Sequence, residues 1–311
     1  MKQWSFLLLI SLLVISSCKT DDPIFELVPA DEDPVIAVIA PTNTRLLNRS
    51  GDQITVSFQL ADQEGLRLFR AIPKRYNAND SLLEDLDPID FEISGQNQNF
   101  NFDLTVLPAD PFDKYQYICY VIDTKGASAE ANFWISILPD PTDPEPYDLL
   151  TYTADTLKNP GTKPEDMFKF GFNLSARQAV PSVGNQNLDT LTLQMDIAVD
   201  VANPLTIWEP FLWSPNNEQA GQDSVFVMTD ATRFNYEEAT YTTIYQAYFS
   251  DPNPAPQTPF LAAGQYIIVR LIKTPRPQFA VLRITEVIDD GRGGLFGVSD
   301  QVVFDYKIST P

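Results

Sequence analysis

The chain has 311 residues, with 42 acidic against 21 basic side chains, a formal net charge of −21 and no histidine. This balance is the reverse of the basic footprint that a nucleic-acid binder needs, and it disfavours docking on an anionic lipid surface. Without histidine, Ser-His-Asp and Cys-His mechanisms and His-ligated zinc, copper or haem sites are removed outright.

The chain opens on a positive Lys2, an apolar run from Phe6 to Ile15 too short to span a bilayer, and small residues Ser16 and Ser17 before Cys18. This start resembles a bacterial lipoprotein signal. The resemblance implies that residues 1–17 are a signal peptide and that Cys18 becomes the acylated first residue. A plain cleaved secretory signal and an N-terminal anchor helix are the alternatives. Lys19, Asp21 and Asp22 then resemble the acidic export tag of surface-exposed lipoproteins in the Bacteroidota; otherwise they simply begin a solvated tether. The tagged reading implies a protein anchored in the outer membrane and facing the exterior, each buried acyl methylene contributing roughly 0.8 kcal/mol. No later apolar run approaches the ~20 residues of a spanning helix.

Residues 18–33 are acidic and proline-punctuated, and read as a tether. From Pro34 to Leu138 the pattern changes to short β runs: 35–39, 53–60, 66–72, 91–93, 100–106, 115–122 and 131–138. Ile54, Val56, Phe58 and Leu60 alternate onto one face, and Asp62-Gln-Glu-Gly65 and Asp123-Thr-Lys-Gly126 supply turns. About seven short strands with no helix signal predict an antiparallel β-sandwich. The Leu60–Leu66 turn and the segment Tyr115–Asp123 resemble the immunoglobulin-like modules that follow the anchor in Bacteroidota surface lipoproteins, including the SusE type. Tyr117 stands two residues before Cys119, where a tyrosine corner would lie, although the partner cysteine and core tryptophan of antibody domains are missing. Cys119, the sole thiol once Cys18 is lipidated, reads as a buried core residue.

Four prolines within residues 139–146 mark a domain boundary and predict a stiff, extended spacer of roughly 25 Å. The second domain, 147–311, is expected to be β-rich with one helix near 235–249, an α+β pattern. Asn235 reads as the N-cap with Glu238 three residues on, and Tyr241, Ile244, Tyr245 and Tyr248 fall on one helical face suited to core packing. The closing strands 264–270, 279–287 and 303–308 resemble the C-terminal hairpin of HmuY-type haem-capturing lipoproteins. That family's histidine ligands cannot exist here, which leaves Met167, Met195 and Met228 as the methionines available for such a role.

Trp208, Phe211 and Trp213 lie in a proline-broken segment unsuited to a sheet interior. They are the candidate ligand- or partner-binding residues, with plugging of a sandwich end as the structural alternative. Asp289-Asp-Gly-Arg-Gly-Gly294 reads as a glycine-rich connection lacking the spacing of a phosphate loop or EF-hand. Asp62, Glu64, Asp113 and Asp123 sit where a sandwich end could hold calcium, yet no specific metal site, cofactor or catalytic residue is expected. Asp80-Ser-Leu82, Asp155-Thr-Leu157, Asp189-Thr-Leu191 and Asp223-Ser-Val225 match the Asp-Ser/Thr-aliphatic O-glycosylation motif of Bacteroidota.

These features suit a non-catalytic lipoprotein that captures an extracellular ligand, a glycan or other nutrient, alongside a TonB-dependent transporter. The alternative is an accessory subunit of an outer-membrane complex for transport, assembly or secretion. HmuY-like haem capture without histidine is the third reading.

Overall fold

Alternating apolar runs become long bent strands in the computed structural model, which describes residues 33–158, 171–180, 197–201, 210–213, 226–251, 254–255, 258–271, 277–288 and 301–310. The N-terminal module holds β1 (Val35–Ala40), β2 (Arg45–Asn48), β3 (Gln53–Tyr76), β4 (Leu82–Asp85), β5 (Ile89–Thr105), β6 (Lys114–Asp123) and β7 (Ser128–Ile137) in one seven-stranded sheet. Asp62-Gln-Glu-Gly65 bends β3 rather than ending it. Asp62 Oδ2 accepts the N–H groups of Glu64 (2.7 Å) and Gly65 (2.5 Å), and Gly65 adopts φ +108°. β5 bends beside it, so the register jumps from Ala61↔Asn97 to Leu66↔Gly95. The sheet therefore curls upon itself, and Phe58 before the bend meets Phe69 after it, ring centroids 5.1 Å apart. Phe102, Tyr117, Cys119 and Phe133 complete that core.

Three local expectations are corrected here. β2 pairs with β7 in parallel, so the sandwich is not wholly antiparallel; the four-residue β2 is too short for alternation to reveal it. The tyrosine tied back to the backbone is Tyr115, whose hydroxyl donates to Pro108 O at 2.9 Å. Tyr117 instead stacks on Phe133 at 4.9 Å in the core. The alternating run 131–138 predicts burial of Trp134, which is instead half-buried against Tyr76 because its neighbour Phe133 takes the inward position. Cys119 is fully buried as expected, and burial pushes its thiol up to about 12.

The C-terminal module contains β8 (Leu149–Lys158), β9 (Gly171–Asn173), β10 (Gln178–Val180), β11 (Ile197–Val201), β12 (Pro210–Trp213), β13 (Phe226–Thr229), α1 (Tyr241–Ser250), β14 (Tyr266–Leu271), β15 (Gln278–Ile288) and β16 (Gln301–Ser309). An antiparallel sheet runs β13-β14-β15-β16-β8, and a smaller one runs β10-β9-β11-β12. Ile267, Val269, Leu282 and Phe304 face a core shared with Phe172, Leu174 and Leu212 of the smaller sheet. Ile268, Phe279 and Val281 point to the other face, under α1. Burial on both faces explains the unbroken apolar run from Phe279 to Leu282.

The helix begins later than Asn235. Thr240 is the N-cap: its Oγ1 accepts Thr243 N–H (3.2 Å), and Thr243 Oγ1 accepts Thr240 N–H (2.9 Å), a reciprocal capping box. Asn235 instead accepts Glu237 N–H at 3.1 Å in the preceding turn. Tyr236 holds that segment out of the helix, because its ring is buried beneath the Arg283 guanidinium (4.4 Å) and Lys307 ammonium (5.2 Å).

Both modules lie within one unit, Pro34–Pro311, and they share an aromatic junction. Phe112 of the N-terminal module inserts its ring against Tyr241 (4.9 Å) and Tyr245 (4.7 Å) of α1. It does so from a left-handed backbone, φ +70°, a conformation that costs a bulky residue on the order of 1–3 kcal/mol and persists only when packing holds it. Beside it, Asp80 binds both Lys114 of β6 and Arg270 of β14. The two cations are only 5% and 6% exposed, and both lie over the Phe249 ring.

The proline-rich segment is correspondingly not an extended spacer. Asp140 Oδ1 accepts Thr142 N–H (2.8 Å) and Oγ1–H (2.6 Å), and Asp143 N–H donates to Asp140 O (3.0 Å), which turns the chain. Glu145 Oε2 then accepts the Thr242 hydroxyl (2.9 Å) and N–H (3.2 Å). Its carboxylate thus satisfies the exposed N-terminus of α1, where negative charge is favoured, and the first turn needs no acid of its own.

Candidate functional site

α1 has two long faces built on the same spacing. Tyr241, Ile244, Tyr245 and Tyr248 are buried, the core-packing role their spacing predicts. Thr243, Gln246, Ala247 and Ser250 repeat that i, i+3, i+4, i+7 pattern on another side, and their small or polar side chains leave room beside the helix. They line a groove of about 550 Å³ that is open to solvent. Val227, Met228 and Phe234 supply apolar lining, and Thr229, Arg233, Asn235, Glu238 and Asp251 supply polar lining.

The wall facing the helix is a structured turn. Asp230 Oδ1 accepts Thr232 N–H (2.8 Å) and Oγ1–H (2.5 Å), while Asp230 O accepts Arg233 N–H (3.1 Å) and Phe234 N–H (3.0 Å). Those Thr232 bonds, above all the hydroxyl's, hold the Asp230 carboxyl below the usual carboxylate range, with the Arg233 charge as a smaller contribution. At the other end, Asn43 Nδ2 of the N-terminal module donates to Ser250 O at 3.3 Å. The groove is therefore framed by α1, the 229–238 connection and the junction between modules.

Among the described residues, the side chains of Arg233, Glu238 and Gln246 make no hydrogen bond or ion pair. By contrast, Arg70, Arg75, Arg177, Arg270 and Arg283 are each bound to a carboxylate. The sequence carries a signal for this: Arg233 is the only basic residue between Arg177 and Arg270. Sequence reasoning missed it because it assigned Glu238 to a helix cap and followed the tyrosines alone.

Of the residues singled out from sequence, Cys18, Lys19, Asp21, Asp22 and Trp208 lie outside the described residues. Phe211 and Trp213 lie on β12, the edge strand of the smaller sheet, where Asp200↔Phe211 and Ala198↔Trp213 are backbone partners. Met228 lines the groove, whereas Met167, Met195 and the 289–294 loop fall outside the described residues.

Each of the four carboxylates considered for calcium has a local partner, while Asp62 Oδ1 and Asp123 Oδ2 are buried without one among the described residues. Asp113 binds Arg75 (2.7 Å), Glu64 pairs with Lys125, Asp62 accepts two backbone amides, and Asp123 Oδ1 accepts those of Lys125, Gly126 and Ala127. Among the described residues no group of three or more metal-ligating side chains converges. Of the glycosylation-like tripeptides, two are described: Asp80 binds the buried cations and Asp155 binds Arg177 (3.0 Å).

The sequence matches no protein-family model and no curated protein. Among solved structures, the chain is similar to a DUF4466 family protein from Parabacteroides merdae, at 11% identity and a TM-score of 0.28, covering 89% of this chain and 98% of that one. The sporulation control protein Spo0M from Bacillus subtilis gives 9% identity and a TM-score of 0.28 over 80% and 79% of the two chains. A Niemann-Pick type C2 protein from the Japanese carpenter ant gives 14% identity and a TM-score of 0.22, over 34% of this chain and 89% of that one. These likenesses are remote, and the functional reading rests on the residues of this chain.

Proposed function

We propose that this chain is a non-catalytic binding lipoprotein, anchored in the outer membrane through Cys18, which captures a small extracellular ligand in the groove beside α1 for a TonB-dependent transporter. The groove carries this reading: about 550 Å³ is in the size range of small-molecule sites, and apolar and hydrogen-bonding groups line it together. The chemistry of the chain supports binding over turnover. It has no histidine, and its core thiol is buried and held protonated. Among the described residues no helix is long and apolar enough to cross a membrane.

The anchor is tested by Cys18→Ala, which should leave the protein unprocessed or released; normal membrane fractionation of that variant would sink the claim. The groove is tested by equilibrium dialysis of the full chain against the small-molecule fraction of spent growth medium. Ala247→Trp should abolish retention by filling the groove, whereas Trp208→Ala combined with Trp213→Ala should leave it intact. The reverse pattern moves the site to the β12 edge.

A second reading, as an accessory subunit of an outer-membrane complex, is favoured by exposed apolar side chains at one place. Leu82 and Leu83 on β4 and Ile89 at the start of β5 are all solvent-exposed. Stoichiometric recovery with an assembly or secretion machine, lost on Leu82→Ser with Leu83→Ser, would favour it.

A further inference from the structure

The groove has a measurable length. Thr243 to Ser250 spans seven helical steps, about 10 Å, and an extended peptide advances ~3.4 Å per residue. One open face of α1 thus matches roughly three extended residues. Apolar lining from Val227, Met228 and Phe234 can take a side chain, and the flexible Met228 thioether adapts to several shapes.

Charge narrows the chemistry. Arg233 and Glu238 line the same groove, both exposed, and neither makes an ion pair or a side-chain hydrogen bond among the described residues. Asp230 feels the Arg233 charge, but no carboxylate lies within ion-pair distance of it among the described residues, whereas Arg70, Arg75, Arg177, Arg270 and Arg283 each bind one. A purely anionic ligand would meet Glu238 and Asp251, and a purely cationic one would meet Arg233. A neutral sugar could hydrogen-bond to both groups but would neutralise neither charge. A ligand bearing both an ammonium and a carboxylate satisfies both groups, and the guanidinium fork matches a carboxylate through two parallel hydrogen bonds. Gln246, whose amide has no partner among the described residues, lines the same groove and can bond the peptide groups between.

We propose that the groove takes a short free peptide of about three residues, its terminal carboxylate on Arg233 and its terminal ammonium on Glu238. This rests on the capture reading of the same groove and names its ligand class.

The test uses the full chain in detergent, titrated calorimetrically with a pool of Ala-X-Ala tripeptides in which X is Val, Leu, Met or Phe. The free peptides should bind, and N-acetylation or C-amidation should each weaken binding at least tenfold. Arg233→Ala should erase the difference between acid and amide, and Glu238→Gln that between amine and acetamide. Both side chains are exposed, so thermal melting should match wild type. Equal binding of free and blocked peptides, or no binding of any peptide, overturns the proposal. Maltotriose binding that Ala247→Trp abolishes would overturn the peptide assignment while leaving ligand capture standing. If spent-medium retention is also insensitive to Ala247→Trp, the capture reading falls with it.

Discussion

The two long faces of α1 obey the same spacing but opposite chemistry. Tyr241, Tyr245 and Tyr248 surround Phe279, with ring centroids 5.4–5.7 Å away, and through Phe112 they fasten the two modules together. Thr243, Gln246, Ala247 and Ser250 line open space instead. Ten residues therefore carry a structural commitment on one side and a groove-lining face on the other. The difference teaches why the groove can be shaped: the aromatic face, Ala247 packed beside it and the capped end at Thr243 hold the backbone, so the groove side keeps its geometry.

If the aromatic face carries the stability, truncating its central ring should have the largest effect. Phe279→Ala should cost about 3–5 kcal/mol, read from urea unfolding, because four α1 rings lose a shared partner and a cavity opens. A cost below about 1 kcal/mol would show that the helix is held by other means.

The polar part of the junction should matter next. Asp80→Asn strips a carboxylate from two buried cations, a loss that can reach 3–5 kcal/mol for a fully buried pair. Asp80 is itself 41% exposed, so about 2 kcal/mol is the expected cost. The pH dependence has a definite sign. Burial opposes ionisation of Asp80, but Lys114 and Arg270 outweigh it and hold the carboxyl below its ordinary range. Its contribution is thus present above the ordinary aspartate pKa, about 3.9, and disappears as pH falls through the lower folded value. Wild type and Asp80→Asn should differ by a constant amount above about pH 5 and converge in acid. A gap that persists unchanged at acid pH would remove ionisation of Asp80 as its cause.

Sequence legibility divides along the same line between local pattern and tertiary contact. Gln53–Leu60 and Tyr115–Ile122 declare themselves because one face is buried and period-two alternation follows. The tyrosine stripe declares a helix for the equivalent reason at period 3.6. The turn chemistry at Asp62–Gly65 is also legible, but its use as a bend depends on β5 bending at Gly95, φ +100°. The helix start is hidden because Tyr236 is captured by Arg283 and Lys307 from other strands. Asp80 and Arg270 are 190 positions apart, so no local pattern announces their pairing. The groove fails for a related reason: one wall is helical and periodic, while the other is a turn whose position only the folded chain supplies.

The capped end of α1 gives a smaller, local test. Thr240→Ala removes the acceptor for Thr243 N–H and should cost about 1 kcal/mol. Glu145 continues to bond Thr242, so the junction should survive and the helix should remain present by circular dichroism.

The smallest effect belongs to the open face, and that is the point of measuring it. Gln246→Ala removes an amide with no partner among the described residues, at a helix position where alanine is at least as favourable. Thermal unfolding should therefore stay within about 0.5 kcal/mol of wild type, shifted if anything toward greater stability. A structural residue would not behave this way, because losing a buried hydrogen-bonding partner leaves another group unsatisfied. If Gln246→Ala destabilises as much as Thr240→Ala does, the two faces of α1 are both structural and the contrast fails. If stability is unchanged while tripeptide affinity falls, the side chain is kept for what enters the groove.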